Sequence, residues 1–206
     1  AAWHAGRSAP LHVYGPDGTE ALVSALLDVV FKREIAMTMT LEAQLGNSIE
    51  HIRNIVVAHD ILPGLVTTIA GCDIHATLVD HGNVLLPLEE WACLGYRLET
   101  QGQIIAISGD TIVCEGLERL AQDADVLVQC CYLAEAEITS PEFQFLAAYV
   151  IASSGQLGAF AHRARVKKLV LTHFRKKSEA LMQTIIDDIR QDYTGDIILG
   201  SDLMEI

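Results

Sequence analysis

The sequence predicts an α/β fold of layered strands and helices, and three observations predict it. Short runs rich in Ile, Val and Leu, bounded by turn residues, recur along the chain and read as buried strands. Through the second half these runs alternate with segments of helical period, the pattern of layered α/β proteins. Three runs also end in residues that bind metals. Cys72 to Val79 leads into Asp80-His81-Gly82, Gln103 to Ile107 into Ser108-Gly109-Asp110-Thr111, and Lys168 to Leu171 into Thr172-His173-Phe174. Strands of one sheet bring their ends to a common edge, where the functional groups of α/β sheets sit on loops.

Taken in order, Ala1 to Pro10 has no period and reads as a loop. Leu11 to Tyr14 is a short strand, Gly15-Pro16-Asp17-Gly18 a turn, and Thr19 a cap for the helix that follows. Leu22, Val23, Leu26, Leu27, Val30 and Phe31 share one face of that helix, which Lys32, Arg33 and Glu34 close. From Met37 to Asn54 only short helices around Leu41–Leu45 and Ile49–Arg53 suggest themselves. Ile55 to Ile61 is a strand, Leu62-Pro63-Gly64 a turn, and Leu65 to Ala70 pairs back as a hairpin. Asn83 to Leu94 is a loop with Trp91, and Gly95 to Glu99 a strand. Ile112 to Asp123 is a helix with Val113, Leu117 and Leu120 inward, and Val126 to Gln129 a strand. Pro141 to His162 is helical with a weak point at Ser153-Ser154-Gly155. Ser178 caps a helix running to Gln191, and Asp196 to Leu199 closes the fold.

The 206 residues suffice for one domain with a full core. No apolar run has the length of a membrane span, the start shows no signal peptide, and a cytoplasmic location is expected. The formal charge of −13 argues against broad binding to nucleic acid. Five cysteines, an odd number with no Cys-x-x-Cys, point to reduced thiols. Adjacent Cys130 and Cys131 face opposite sides of a strand.

Two imidazoles and a carboxylate at one sheet edge match the ligand chemistry of zinc or a similar divalent ion. Any one of them alone has an ordinary explanation, an Asp capping a helix or a His bonded to backbone. The threefold repetition favours the joint reading. His59 in Ala58-His59-Asp60 could be a ligand but reads first as a strand-end residue beside a turn, and His75 reads as structural or exposed. Arg163, Arg165, Lys167, Lys168, Arg175, Lys176 and Lys177 crowd near His173. Most read as solvated helix ends and a strand edge, with Arg175 the candidate for substrate contact.

Val79-Asp80-His81-Gly82, Gly95-Tyr96-Arg97, Ser108-Gly109-Asp110-Thr111 and Leu169-Val170-Leu171-Thr172-His173-Phe174 resemble the metallo-β-lactamase superfamily. The branch is that of ribonuclease Z and its arylsulfatase-like and phosphodiesterase-like relatives. Val13-Tyr14-Gly15-Pro16-Asp17-Gly18-Thr19-Glu20 fits the same branch, so the resemblance spans nearly the whole chain in order. It implies a four-layer αββα sandwich, with residues 1–206 forming a single domain. It implies a hydrolase with a pair of zinc ions, manganese being the other candidate. Asp110 would bridge them, His81 would complete one metal site and His173 the other, and Asp110 and His173 would be catalytic. Such ions acidify water and stabilise charge on the attacked centre. Trp91 falls near the family's substrate position, and a homodimer is expected.

Three departures qualify the resemblance. No two histidines here have the spacing of the family's His-x-His-x-Asp-His motif. The chain is therefore expected to be a fragment beginning after the first strands, or a degenerate form. His81, Asp110 and His173 then make at most one open three-ligand site. An exposed sheet edge would favour association or poor solubility. Second, only Leu98 to Ile107 stands where many members insert a tRNA-gripping arm, room for a hairpin alone. With the acidic charge, this leads to an expected small-molecule anionic or ester substrate, and not nucleic acid. Third, Gln129-Cys130-Cys131 replaces the family's His-Glu-Ala, and Ile151 stands where a His binds or protonates the scissile group. That implies another leaving group or weak activity. The rival readings are ribonuclease Z itself, a non-catalytic degenerate domain, and an unrelated doubly wound binding protein. The last ranks lowest because no Gly-rich phosphate loop follows a strand.

Overall fold

The computed structural model describes residues 3–206, so Ala1 and Ala2 of the predicted leading loop lie outside the described residues. The chain divides into two compact units, one ending at Leu62 and one running from Pro63 to Ile206.

In the first unit, β1 (Leu11–Gly15) and β2 (Val56–Asp60) pair in parallel, from Leu11 opposite Val56 to Gly15 opposite Asp60. Between them lie α1 (Thr19–Ala25), a π-helical turn (Leu26–Val30), α2 (Lys32–Gln44) and α3 (Ile52–Ile55). Three expectations are corrected here. The Thr19 hydroxyl donates to the Pro16 carbonyl at 2.7 Å, and Gly18 takes the cap position with φ 93°. Lys32, Arg33 and Glu34 open α2 instead of closing a helix, because they are good helix formers with no Gly or Pro after them until Gly46. Gly46, at φ 77°, turns the chain away. The hairpin between β2 and the next strand does not form, since β2 takes β1 as its partner. A turn signal marks a reversal of the chain without naming the strand that will be met. Trp3, Ile35 and Ile55 form this unit's buried core, and the Trp3 indole donates to Glu50 O at 2.7 Å.

The second unit is one seven-stranded sheet in the order β3 (Gly64–Ile69), β4 (Cys72–Val79), β5 (Cys93–Thr100), β6 (Gln103–Ile107), β7 (Val126–Cys130), β8 (Lys168–Thr172), β9 (Asp196–Leu199). Pairing is antiparallel from β3 to β6 and parallel from β6 to β9. Parallel neighbours need crossovers, and helices supply them. These are α4 (Glu115–Ala121), α5 (Pro141–Tyr149), α6 (Ser154–Arg163) and α7 (Glu179–Arg190). Ala106, Leu127, Leu169 and Leu171 of the strands pack with Leu117, Leu120, Leu157, Phe160, Ile185 and Ile189 of the helices, all fully buried. Each large side chain so buried contributes roughly 1.5–3 kcal/mol.

Local chemistry sets the helix ends. The Ser140 and Ser178 hydroxyls accept from Phe143 N and Leu181 N, both at 3.3 Å. Ser153 and Gln156 form a capping box, so the predicted weak point is the start of a new helix, α6. The helix after Asp110 starts later than expected, at Glu115, because Ile112 N is pinned to Asp80 O at 2.9 Å. A Cβ at Gly116 would overlap the Leu78 carbonyl oxygen, so only glycine lets α4 lie this close to β4. Arg97 donates to Leu120 O and Gln122 O at 2.9 and 2.8 Å, closing the C-terminal end of α4. All five cysteines are free, with Cys130 and Cys131 buried. Among the described residues no helix is long and apolar enough to cross a membrane.

Candidate metal centre

Strand direction gathers the candidate residues. β4 is antiparallel to β5 and β5 to β6, so β4 and β6 run the same way, and β7 to β9 follow β6. The C-terminal ends of β4, β6 and β8 therefore share one rim. His81, Asp110 and His173 follow those three ends directly. The Thr111 hydroxyl donates to Asp80 O at 2.9 Å, tying the turn after β6 to the end of β4. Left-handed backbone marks all three places: Gly82 at φ 81°, Gly109 at 63°, and His173 itself at 59°. Glycine takes that conformation freely, whereas a histidine held there is strained, as residues at functional sites often are.

Asp110 and His173 meet. His173 Nδ1 lies 3.0 Å from Asp110 Oδ1, with both side chains partly exposed. The carboxylate accepts from Nδ1, which leaves Nε2 of the neutral ring with its lone pair. His81 reaches the same state by another route. Its Nδ1 lies 2.8 Å from Val150 O, a carbonyl that can only accept, so Nε2 again keeps its lone pair. Among the described residues, however, no three His, Cys, Asp or Glu side chains are grouped to hold a metal ion. The expected ion-sized gap among three ligands is therefore not formed: Asp110 and His173 touch directly at 3.0 Å, and His81 stands on the same rim outside that pair. The donor set suits a divalent ion in kind, with two neutral imidazoles and a carboxylate.

The surroundings of the two histidines differ. Behind His81, the Trp91 indole donates to His81 O at 2.9 Å, and Asn83 Nδ2 donates to Trp91 O at 2.8 Å. Asn83 N donates to Asp80 Oδ1 at 3.2 Å, closing the loop on itself. Trp91, read from the sequence as a substrate contact, spends its polar atom on this brace while its side chain stays half-exposed. Next to His173, the Tyr132 ring lies 5.5 Å away, centroid to centroid. Arg175 sits over the Tyr132 and Phe143 rings at 5.4 and 4.9 Å. A cleft of about 370 Å³ opens between Thr172, His173, Phe174, Gly200, Ser201 and Asp202.

Asp80, Asn83, Tyr132 and the Val150 carbonyl were not legible as site residues. Only the Asp80-His81 adjacency carried a signal. Burial, then Asp80 and Asp110, push the Cys93 thiol up, which puts both carboxylates near it. Burial pushes Cys130 up to about 11 and Cys131 up to about 12, so both are neutral thiols and no nucleophiles at neutral pH. His59 lies with its Nε2 2.9 Å from His12 Nδ1 on the neighbouring strand, in agreement with its reading as an ordinary strand-end residue. Of the basic crowd, Arg163, Arg165 and Lys167 pair with Glu118, Asp123 and Asp125 at 3.0, 2.6 and 2.6 Å.

No family model matches the chain. It is 28% identical to the putative ribonuclease Z of Mycobacterium tuberculosis (strain CDC 1551 / Oshkosh), over 96% of this chain and 84% of that protein. It is 34% identical to the ribonuclease Z of Thermobifida fusca (strain YX), over 54% of this chain but only 34% of that enzyme's length. Among solved structures, the metallo-β-lactamase fold protein YhfI from Bacillus subtilis superposes with a TM-score of 0.65 at 14% identity, covering 94% of this chain and 63% of YhfI. Human tRNase Z, short form (ELAC1), gives 0.59 at 19% identity, covering 96% and 68%. Zn(2+)-bound PqqB from Methylobacterium extorquens gives 0.58 at 15% identity, covering 94% and 65%. The chain has the metallo-β-lactamase fold. In sequence it is similar to ribonuclease Z along nearly its whole length.

These relatives overturn the expectation of a small-molecule substrate with nucleic acid excluded. The M. tuberculosis relative, which matches 96% of the chain, is named a ribonuclease, and the human fold neighbour a tRNase. The physical error lies in using summed charge. A total of −13 does not locate cations, and at the rim Arg175 and Lys177 share the single carboxylate of Glu137, whereas Arg163, Arg165 and Lys167 each have one of their own. The short β5–β6 hairpin excludes an arm at that one place only.

Proposed function

We propose that this chain belongs to a metal-dependent hydrolase of RNA phosphodiesters, of the ribonuclease Z kind, with zinc as the ion. The observation that carries this is the Asp110–His173 pair at the strand-end rim. Support comes also from ribonuclease Z relatives along the chain and from a fold neighbour solved with zinc. Asp110, His173 and His81 would hold the ion. When bound, it supplies Lewis acidity toward a phosphoryl oxygen and a more acidic water. The chain's own residues prepare for this. Asp110 orients His173, the Val150 carbonyl fixes the tautomer of His81, and Trp91 fixes its backbone.

The test is cleavage of a 3′-extended precursor tRNA by the protein with zinc, with and without a chelator, beside Asp110→Asn. Chelation should abolish cleavage, and the variant should lose at least about 100-fold, the scale of several kcal/mol of transition-state stabilisation. Cleavage indifferent to both would contradict the proposal. A second reading, a non-catalytic domain of this fold, is favoured by the lack of a three-ligand group among the described residues. It expects RNA binding without cleavage in any metal.

A further inference from the structure

We infer that Arg175 is an anion subsite that takes a phosphate of the substrate backbone beside the one that is cleaved; the identity of that substrate rests on the ribonuclease reading above. Arg175 is a cation of the rim whose hydrogen-bond donors are unspent. Among the described residues none of its guanidinium N–H groups makes a hydrogen bond, and Nη1 is buried without a partner. The nearest carboxylate oxygen, Glu137 Oε1, is 3.9 Å from Nη1, beyond hydrogen-bond reach. Glu137 is already committed. It accepts from Lys177, whose side chain is fully buried, and from Ala134 N at 2.9 Å. Lys177 and Arg175 thus share one carboxylate, so this corner of the rim carries one positive charge more than it has carboxylates to balance. What positions the guanidinium is a pair of rings, Tyr132 and Phe143, which hold the plane without using its donors.

Location makes this cation informative. The Tyr132 ring that holds Arg175 also packs against His173. Arg175 is therefore joined to the Asp110–His173 pair through one shared ring, on the flank of that pair. A planar guanidinium with donors not spent on hydrogen bonds, beside a reactive centre, is suited to phosphate recognition. About a third of the side chain, 36%, is accessible, while Nη1 is buried, so a ligand would be met by the other donors of the guanidinium.

The experiment measures binding by the full chain in the presence of chelator, so that metal plays no part. The probes are inorganic pyrophosphate and a non-cleavable 2′-O-methyl oligoribonucleotide, against wild type, Arg175→Met and Arg175→Lys. Methionine keeps the stem between the two rings, and thermal melting confirms that each variant is folded. Arg175→Met should weaken pyrophosphate roughly tenfold and lower the salt slope of oligonucleotide binding by about one, with Arg175→Lys between. If pyrophosphate weakens while oligonucleotide binding is absent or unchanged, the anion subsite stands and the ribonuclease reading falls. Equal affinity of wild type and Arg175→Met for pyrophosphate overturns the inference.

Discussion

The two histidines of the rim are held by opposite means. His81 is fixed through neutral groups, its ring on the Val150 carbonyl and its backbone on the Trp91 indole. His173 is fixed through charge. Its ring pairs with Asp110, and it leans on Tyr132, whose backbone carbonyl accepts from the buried ammonium of Lys177 at 2.9 Å. The difference teaches that one side of the candidate centre should respond to charge removal nearby, while the other depends on the shape of its loop. It also says where stability and function are coupled, since the Lys177–Glu137 pair that supports Tyr132 is buried.

Breaking that pair has the largest expected effect. Lys177→Met leaves the Glu137 carboxylate, 16% exposed, with only the Arg175 guanidinium at 3.9 Å and no hydrogen-bonded cation, and should cost about 3 kcal/mol in urea unfolding. A loss under about 1 kcal/mol would show that the charged side is not held as described. Acid probes the same pair. Burial pushes the Glu137 carboxyl up, but hydrogen bonds from Lys177 and Ala134 N outweigh it and hold the carboxyl below the usual range. Its contribution is therefore complete above the unfolded carboxyl pKa and lost as pH falls through the lower folded value. Urea midpoints followed downward from neutral pH should fall in that window for wild type and less for Lys177→Met.

The neutral side sharpens the contrast with a smaller effect. Trp91→Phe keeps the ring but removes the donor to His81 O. It should weaken metal binding about tenfold, the low end for an outer-shell partner, while stability stays nearly constant. Competition against a chromogenic chelator measures it. An unchanged affinity would make Trp91 a surface residue of the loop and nothing more.

Much of this was legible in the chain, for physical reasons that can be named. β6 to β9 are continuous apolar runs, and Ser140, Ser153 and Ser178 announce helix starts with their hydroxyls. Gly82 and Gly109 announced two of the three left-handed turns at the rim. His173 could not announce the third, because its backbone is set by packing. The β1–β2 pairing spans more than forty residues and leaves no local trace. The continuation of α2 past Lys32 was hidden by a mixed pattern with no stripe. Arg175 showed as one cation in a crowd, and only the structure reveals that it lies over two rings and shares Glu137 with Lys177.

The central claim is that Asp110, His173 and His81 hold a divalent ion. The most direct test is metal content after equilibrium dialysis against zinc, measured for the folded wild-type chain, His173→Ala and His81→Ala. Bound zinc in wild type, lost in His173→Ala and weakened in His81→Ala, is the expected result. Equal zinc in all three, or none in wild type, would contradict the account.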